Sequence, residues 1–157
     1  MNTTYVAWLN DARAMELGLV QTIESHLLLV KDEPALKERL QKHLEETRQH
    51  AEIIGECIEQ YGGKIALFKG VMSTIAGGVG GAAAALTGDD LMKAMLSDAA
   101  AEALEIASYT SLLEAARQLG DEFTVKACEG ILADELAHQN WILEQIPRLT
   151  DRFLAQD

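Results

Sequence analysis

Apolar residues recur every three or four positions along four long segments of the chain, which is the spacing of amphipathic helices. In the first segment Leu9, Val20, Ile23 and Leu27 form one such stripe. Ala, Leu, Glu and Gln are common and there are two prolines, which favours helix over sheet. We therefore predict an all-α fold whose helices span residues 4–30, 33–61, 90–119 and 122–145.

Aspartates that can cap helix N-termini and glycines that can end helices mark the predicted boundaries. The residues concerned are Asp32, Gly62, Asp89 or Asp90, Gly120 and Asp121. Pro147 is expected to break or kink the fourth helix, because proline lacks an amide hydrogen and clashes with the preceding turn. A short amphipathic helix over residues 148–155 should then fold back. The whole chain of 157 residues fits one compact domain, residues 1–157.

A segment rich in glycine and alanine, residues 62–88, joins the second and third helices. It has too few large apolar side chains for a membrane span, and a glycine zipper at Gly77 and Gly81 is the lesser alternative. A helix of about 28 residues is ~42 Å long, a distance that this partly helical segment can cover. We therefore predict a four-helix bundle with one long crossover, not simple up-down-up-down connectivity.

The acidic composition limits the classes of function that suit this chain. A formal net charge of −12 disfavours sequence-independent binding to nucleic acid, and no membrane association is expected. Cys57 and Cys128 form no CxxC pair, so we expect two buried thiols, not a zinc ribbon or a disulfide framework. The N-terminal segment lacks the basic region and apolar run of an export signal, so a cytoplasmic protein is expected.

Each predicted helix carries acidic or imidazole side chains in the middle of its apolar face. They are Glu16, His43, Glu46, His50, Glu102, Glu105, Glu135 and His138. Counted from the helix ends in the crossover topology, one glutamate from each helix falls in a layer about 5 Å thick at ~1.5 Å per residue. The same separation of 30 residues divides Glu16 from Glu46 and Glu105 from Glu135. Buried carboxylates need compensation by cations or protons, so this layer indicates a functional site.

The layer predicts a centre of two metal ions. A Glu from each of two helices, with a Glu and a His from each of the other two, is the ligand set of di-iron and di-manganese carboxylate bundles. Four carboxylates balance two divalent ions, which prefer oxygen and imidazole ligands. Taken singly, each residue is more simply a solvated side chain, and the shared level across four helices favours metal. The predicted ligands are Glu16, Glu46, His50, Glu105, Glu135 and His138.

Other side chains near the layer have less defined roles. Glu102 is the alternative ligand from the third helix; Glu105 is preferred because its height fits better, which leaves Glu102 as a candidate proton carrier. His43 and Tyr109 lie one turn from predicted ligands, where they would hydrogen-bond to them or simply belong to the core edge. His26 lies outside the layer and is expected to be an ordinary helix histidine.

The sequence resembles the YciE/YciF family of ferritin-like proteins in four strings: WLNDARAMELG, HLEETRQHAEIIGE, EIASYTSLLEAARQLGD and ILADELAHQNWI. The resemblance covers nearly the whole chain, and HLEET and EIASYTSLL are its most specific parts. It implies a ferritin-like bundle, a homodimer and a role in bacterial stress response. Two departures affect the second helix. Other ferritin-like proteins have Glu-x-x-His where this chain has Thr47-x-x-His50, and the family pattern has Gln at the position of His50.

The leading functional hypothesis is redox chemistry with peroxide or oxygen at two iron or manganese ions, metals that accept the same ligands. The alternative from another class is a non-catalytic metal-binding or partner-binding stress protein, and ferroxidase activity is a further alternative at the same site. Whether the chain is an enzyme is therefore left open by the sequence. A hydrolytic site ranks lowest, because no phosphate-binding loop accompanies the layer.

Overall fold

The computed structural model describes residues 1–31, 33–67 and 89–155. These residues form four helices and no strand, so the prediction of an all-α four-helix protein is confirmed. None of the described helices combines the length and the apolar character that a membrane-spanning segment needs. The helices are α1 (Thr3–Leu27), α2 (Pro34–Gln60), α3 (Asp90–Leu119) and α4 (Glu122–Leu154).

Contacts between helices show the direction in which each one runs. Glu16 of α1 accepts a hydrogen bond from Tyr109 of α3, whereas His26 pairs with Asp98, so α1 and α3 are antiparallel. Contacting residues also follow opposite orders along α1 and α2, along α2 and α4, and along α3 and α4, so these pairs of helices are antiparallel too. Because α2 and α3 thus run in the same direction, the end of α2 and the start of α3 lie at opposite ends of the bundle. This is the predicted connectivity with one crossover.

The crossover begins against α1, where Asn10 hydrogen-bonds to the backbone of Lys64 and Ala66. The predictions of partial helix and of a glycine zipper fall on residues 68–88, which lie outside the described residues. The predicted cap Asp32 lies outside them too, and the residue preceding α2 in the structure is Glu33.

Several helix ends have the predicted chemistry. The side chain of Asp121 accepts a hydrogen bond from the backbone N–H of Thr124 and so caps α4. Gly120 ends α3 with φ 70° and Gly62 follows α2 with φ 83°, a left-handed conformation that glycine adopts without the steric cost of a Cβ atom.

The fourth helix continues through Pro147, so the break predicted there is wrong. Proline removes one intrahelical hydrogen bond, but the two turns that follow are held by contacts with the rest of the bundle. Leu149 is completely buried, and Arg148 and Arg152 both form ion pairs with Glu33. These contacts compensate for the lost hydrogen bond and keep the helix continuous.

The core consists of two apolar clusters with a polar layer between them. The cluster near the α3–α4 turn includes Tyr5, Leu9 and the free thiols of Cys57 and Cys128. Both cysteines are completely buried, as predicted, and burial raises the thiol pKa of Cys57 to about 11 and that of Cys128 to about 12. The cluster at the other end of the bundle comprises Val30, Leu36, Leu40, Leu91, Met95, Ile142 and Leu149.

Candidate metal centre

Acidic and imidazole side chains from all four helices meet in the middle of the bundle. They occupy the inward stripe of each helix, in register with the apolar residues of the two clusters. All are at most 3% exposed, so water has almost no access to them. The set is Glu16, His43, His50, Glu102, Glu105, Glu135 and His138.

A first group joins α1, α2 and α4: Glu16, His50 and Glu135 each offer a ligand atom within 4.8 Å of the other two. The Nδ1 atom of His50 lies 2.8 Å from Oε1 of Glu135 and 3.8 Å from Oε1 of Glu16. The hydroxyl of Tyr109 donates a hydrogen bond to Glu16. The other ring nitrogen of His50 lies 3.3 Å from the carboxylate of Asp134, which keeps Nδ1 directed inward.

A second group, Glu102, Glu105 and Glu135, lies within the same 4.8 Å limit. Glu135 belongs to both groups and is therefore placed to bridge two ions. Among the described residues, neither oxygen of Glu105 nor Oε2 of Glu135 has a hydrogen-bond partner, whereas Oε1 of Glu135 has its contact with His50. Such buried oxygens are costly unless something neutralises them.

A third group contains His43, Glu102 and His138. The Nε2 atom of His43 lies 2.9 Å from Oε1 of Glu102, and Nε2 of His138 lies 3.9 Å from the same oxygen. The two imidazole rings stack with their centroids 3.5 Å apart and their planes at 9°. Neither ring nitrogen of His138 has a hydrogen-bond partner in the described part of the chain. Both are therefore open to an incoming cation.

Burial makes ionisation of the carboxylates unfavourable in the protein without metal. Burial, together with the charge of Glu135, raises the pKa of Glu16 to about 8. Burial raises the pKa of Glu102 to about 7, although its hydrogen bond with His43 acts in the opposite direction. Burial and the neighbouring carboxylates raise the pKa of Glu105 well above its ordinary value. Charge compensation by cations would favour the ionised forms.

The two stacked imidazoles have opposite protonation tendencies. Burial, followed by the charge of His43, lowers the pKa of His138 to about 2, so His138 is neutral and can act as a ligand. Burial by itself would lower the pKa of His43, but hydrogen bonds to Glu102 and Glu46 raise it to about 9. A neutral ligand therefore packs on a charged imidazole that balances part of the acidic charge.

The donor set of the layer fits two divalent cations. Its four glutamates carry a charge that two such ions would balance, and carboxylate oxygen with imidazole nitrogen suits iron or manganese. The atoms of the layer that still need partners include both oxygens of Glu105, Oε2 of Glu135 and the ring nitrogens of His138.

Comparison with known proteins places the chain in a family. A family model described as "Domain of unknown function (DUF892)" matches residues 1–155. The chain belongs to the DUF892 family. A crystal structure of a Xanthomonas campestris protein is 32% identical to this DUF892 chain, with a TM-score of 0.85 over 98% of this chain and 96% of the other.

Two further structures have a ferritin-like or bacterioferritin description. A Bacillus anthracis protein described as ferritin-like and diiron-carboxylate is 19% identical, with a TM-score of 0.73 over 93% of the DUF892 chain and 99% of its own. The bacterioferritin of Desulfovibrio desulfuricans, described with a diiron site, is 27% identical, with a TM-score of 0.73 over 98% and 86% of the two chains. The ferritin-like four-helix fold of this DUF892 chain is therefore confirmed.

The structure of the DUF892 chain brings five of the six predicted ligands into the layer, and their binding of metal stays a prediction. Both glutamates considered on α3 are present there, since Glu102 and Glu105 belong to the same group. The predicted residues found in the layer are Glu16, His50, Glu105, Glu135 and His138.

Glu46 is the exception, and the position predicted for it is wrong. Its carboxylate lies 3.0 Å from Arg39 and 2.8 Å from Lys42, outside the three groups. Burial would raise the pKa of Glu46, but hydrogen bonds from His43, Lys42 and Arg39 lower it below its ordinary value. The carboxylate is thus already neutralised by protein cations.

His43 takes the place on α2 that was expected for Glu46. The buried positions of α2 alternate in steps of three and four residues, and both histidines lie on this stripe whereas Glu46 lies one residue off it. This periodicity was the available signal for His43. The stripe is Leu36, Leu40, His43, Thr47, His50, Ile54 and Cys57.

Proposed function

We propose that the protein binds two iron or manganese ions in this layer and carries out redox chemistry with peroxide or oxygen. The observation that carries the proposal is the burial of ligand atoms without hydrogen-bond partners among the described residues, on Glu105, Glu135 and His138. Similarity to a bacterioferritin described with a diiron site supports it.

The proposed ligands divide between the two ions. Glu16 and His50 would hold one ion, and Glu135, which belongs to the group of Glu16 and to the group of Glu105, would contact both ions. Glu105 would hold the second ion, with His138 reaching it from the neighbouring group that shares Glu102. Two such ions would supply two-electron exchange with peroxide or oxygen. The apolar clusters on either side of the layer would exclude water from the site.

Glu102 is the proposed proton carrier. In the metal-free protein burial raises the pKa of Glu102 to about 7, and bound cations would favour release of its proton. It is hydrogen-bonded to Nε2 of His43, whose Nδ1 lies 3.6 Å from the partly exposed carboxylate of Glu46. Glu102, His43 and Glu46 thus form a route by which a proton would reach solvent.

The first experiment is metal analysis of protein purified without chelator, followed by assays of peroxide decay and oxygen release. Disproportionation of hydrogen peroxide needs no other reductant, because one molecule is reduced to water while a second is oxidised to dioxygen. We expect two metal ions per chain and turnover. Glu135→Gln should lose both, while the matched variant Glu144→Gln, at an exposed position on the same helix, should keep both.

The second candidate function is a non-catalytic metal-binding or partner-binding protein. Thr47 favours it, because this buried residue lies where other ferritin-like proteins have a carboxylate, and its hydroxyl instead donates to the backbone oxygen of His43. Absence of bound metal, with no rise in thermal stability on adding Fe²⁺ or Mn²⁺, would support this function and contradict the first. Oxidation of added Fe²⁺ without peroxide turnover would instead indicate a ferroxidase.

The finer biological assignments rest on the sequence resemblance. Membership of the YciE/YciF family and a stress-response role stay predictions, as does the cytoplasmic location expected from the N-terminal segment. Survival of a deletion strain under peroxide, compared with the same strain complemented by Glu135→Gln, would test the stress role together with its dependence on the site.

A further inference from the structure

The acidic stripe of α3 extends one turn beyond the metal layer. Asp98, Glu102 and Glu105 follow one another at helical spacing on the buried face of α3. Asp98 lies at the boundary between the polar layer and the apolar cluster that contains Met95 and Ile142. A carboxylate in these surroundings needs a reason beyond packing.

Asp98 connects the interior with the surface through His26. Oδ1 of Asp98 lies 2.7 Å from Nδ1 of His26, which is in the last turn of α1. The side chain of Asp98 is 6% exposed and that of His26 is 16% exposed, so the imidazole reaches solvent and the carboxylate does not. Oδ2 of Asp98 is buried without a hydrogen-bond partner among the described residues.

A purely structural ion pair does not account for this arrangement. Buried ion pairs contribute little net stability, and they do so only when the remaining oxygens are also satisfied. Here one oxygen of Asp98 is left open. The charge of Asp98 is also among the causes that raise the pKa of Glu105, so the two carboxylates share one electrostatic environment.

We propose that His26 and Asp98 form an entry site that binds a divalent cation, Fe²⁺ or Mn²⁺, on its way from solvent to the metal layer. This inference rests on the proposed function. Imidazole nitrogen and carboxylate oxygen are ligands that such ions accept. Asp98 and Glu102 are four residues apart, about 6 Å at ~1.5 Å per residue, so a cation held by Asp98 is one short step from Glu102.

The test measures the rate of cation uptake by metal-free protein, with Co²⁺ as the optical probe in stopped-flow and Mn²⁺ as the probe in electron paramagnetic resonance. Asp98→Asn keeps the shape of the side chain and removes its charge. We expect uptake at least tenfold slower than in the wild type, with the same final stoichiometry of two ions per chain. Glu144→Gln changes the net charge equally at an exposed position and should load at the wild-type rate.

A second variant provides an independent test if Asp98→Asn folds poorly. His26→Gln changes a partly exposed residue and keeps a hydrogen-bond donor for Asp98, and it should slow uptake at least threefold. Loading of either folded variant at the wild-type rate would overturn the entry-site inference while leaving the proposed function intact. A wild-type protein that takes up neither probe would overturn both.

Discussion

At the scale of single residues, each histidine of α2 in the layer faces two carboxylates. One ring nitrogen of His50 is directed at Glu135 and the other at Asp134, half-exposed on α4. His43 is placed in the same way between Glu102 and Glu46. A carboxylate behind an imidazole selects its tautomer and orientation, so Asp134 and Glu46 are positioning residues for the site.

Asp134→Asn tests this positioning role. We expect metal affinity to fall by about 10- to 100-fold, because the amide no longer fixes the tautomer of His50. Stability without metal should change by less than about 0.5 kcal/mol, since Asp134 is exposed. Competition titration with a chromogenic chelator measures the affinity, and Asp151→Asn is the exposed control on the same helix. Unchanged affinity would mean that Asp134 does not orient the imidazole.

The pKa shifts predict how the stability of metal-free protein depends on pH. Burial raises the pKa of Glu16 from 4.5 to about 8 and that of Glu102 to about 7. The two carboxyl groups therefore contribute fully to the stability of the fold below pH 4.5, and this contribution is lost as pH rises through the raised values. Above pH 6.5 the raised pKa of His43 acts in the same direction. The lowered pKa of His138 has no further effect there, because His138 is then neutral in both states.

Stability should therefore fall between pH 6.5 and pH 8, by on the order of 1 kcal/mol per pH unit for each of these groups. Urea midpoints of chelator-treated protein at the two pH values measure this change. Added Mn²⁺ should reduce the decrease, because it binds the ionised carboxylates. A midpoint that stays constant or rises would show that the glutamates ionise freely inside the bundle.

At the scale of the helix, α4 depends on tertiary contacts for its last two turns. Pro147 removes one intrahelical hydrogen bond before these turns, yet Leu149 is completely buried in the cluster with Leu36 and Met95. The ion pairs of Glu33 with Arg148 and Arg152 add to this docking. The end of α4 is thus part of the core.

Leu149→Ala should destabilise the protein by about 2–5 kcal/mol, the usual effect of removing a buried leucine side chain. Leu154→Ala is the matched control on the same helix: Leu154 is 70% exposed, and the change should be within about 0.5 kcal/mol. Urea unfolding followed by circular dichroism gives both values. A loss below about 1 kcal/mol for Leu149→Ala would mean that the end of α4 frays independently of the bundle.

At the scale of the whole molecule, the middle of the outer face of α3 and α4 lacks exposed charge although the chain carries −12. Between residues 94 and 113 the charged side chains are Asp98, Glu102 and Glu105, and all three are buried. The exposed residues there are apolar, small or hydroxylic, whereas exposed positions of α2 are rich in ions. The uncharged face comprises Leu96, Ala100, Ala103, Leu104, Ala107, Gly130, Ala133, Leu136, Ala137, Asn140 and Leu143.

We propose that a second copy of the chain packs on this uncharged face. Two copies with strongly negative charge repel each other least where neither carries ions. The face measures about 20 Å by 20 Å, or ~400 Å² per copy, which corresponds to a small and weak interface. Small side chains would let the helices approach closely.

Light scattering should give the mass of a dimer for the wild type, and Ala103→Glu should weaken self-association at least tenfold by placing a charge on the face. Gln41→Glu adds the same charge at an exposed position of α2 and should remain dimeric. A monomeric wild type would contradict the proposal. Equal dissociation of both variants would point to net charge as the cause.

The sequence by itself determined the helices, their one-crossover connectivity and most of the buried ligand set, because periodicity and capping act within one helix and repeat along it. Glu16, Glu135 and His138 interrupt apolar stripes, and such an interruption is visible without coordinates. The exclusion of Glu46 could have been read from the periodicity of α2, whereas tertiary structure alone decided two points: the placement of Asp98 against His26 and the continuation of α4 past Pro147. Each depends on which residue of another helix lies opposite, and the local sequence pattern does not contain that information. Rotating a helix about its axis by one residue, about 100°, exchanges a buried position for an exposed one.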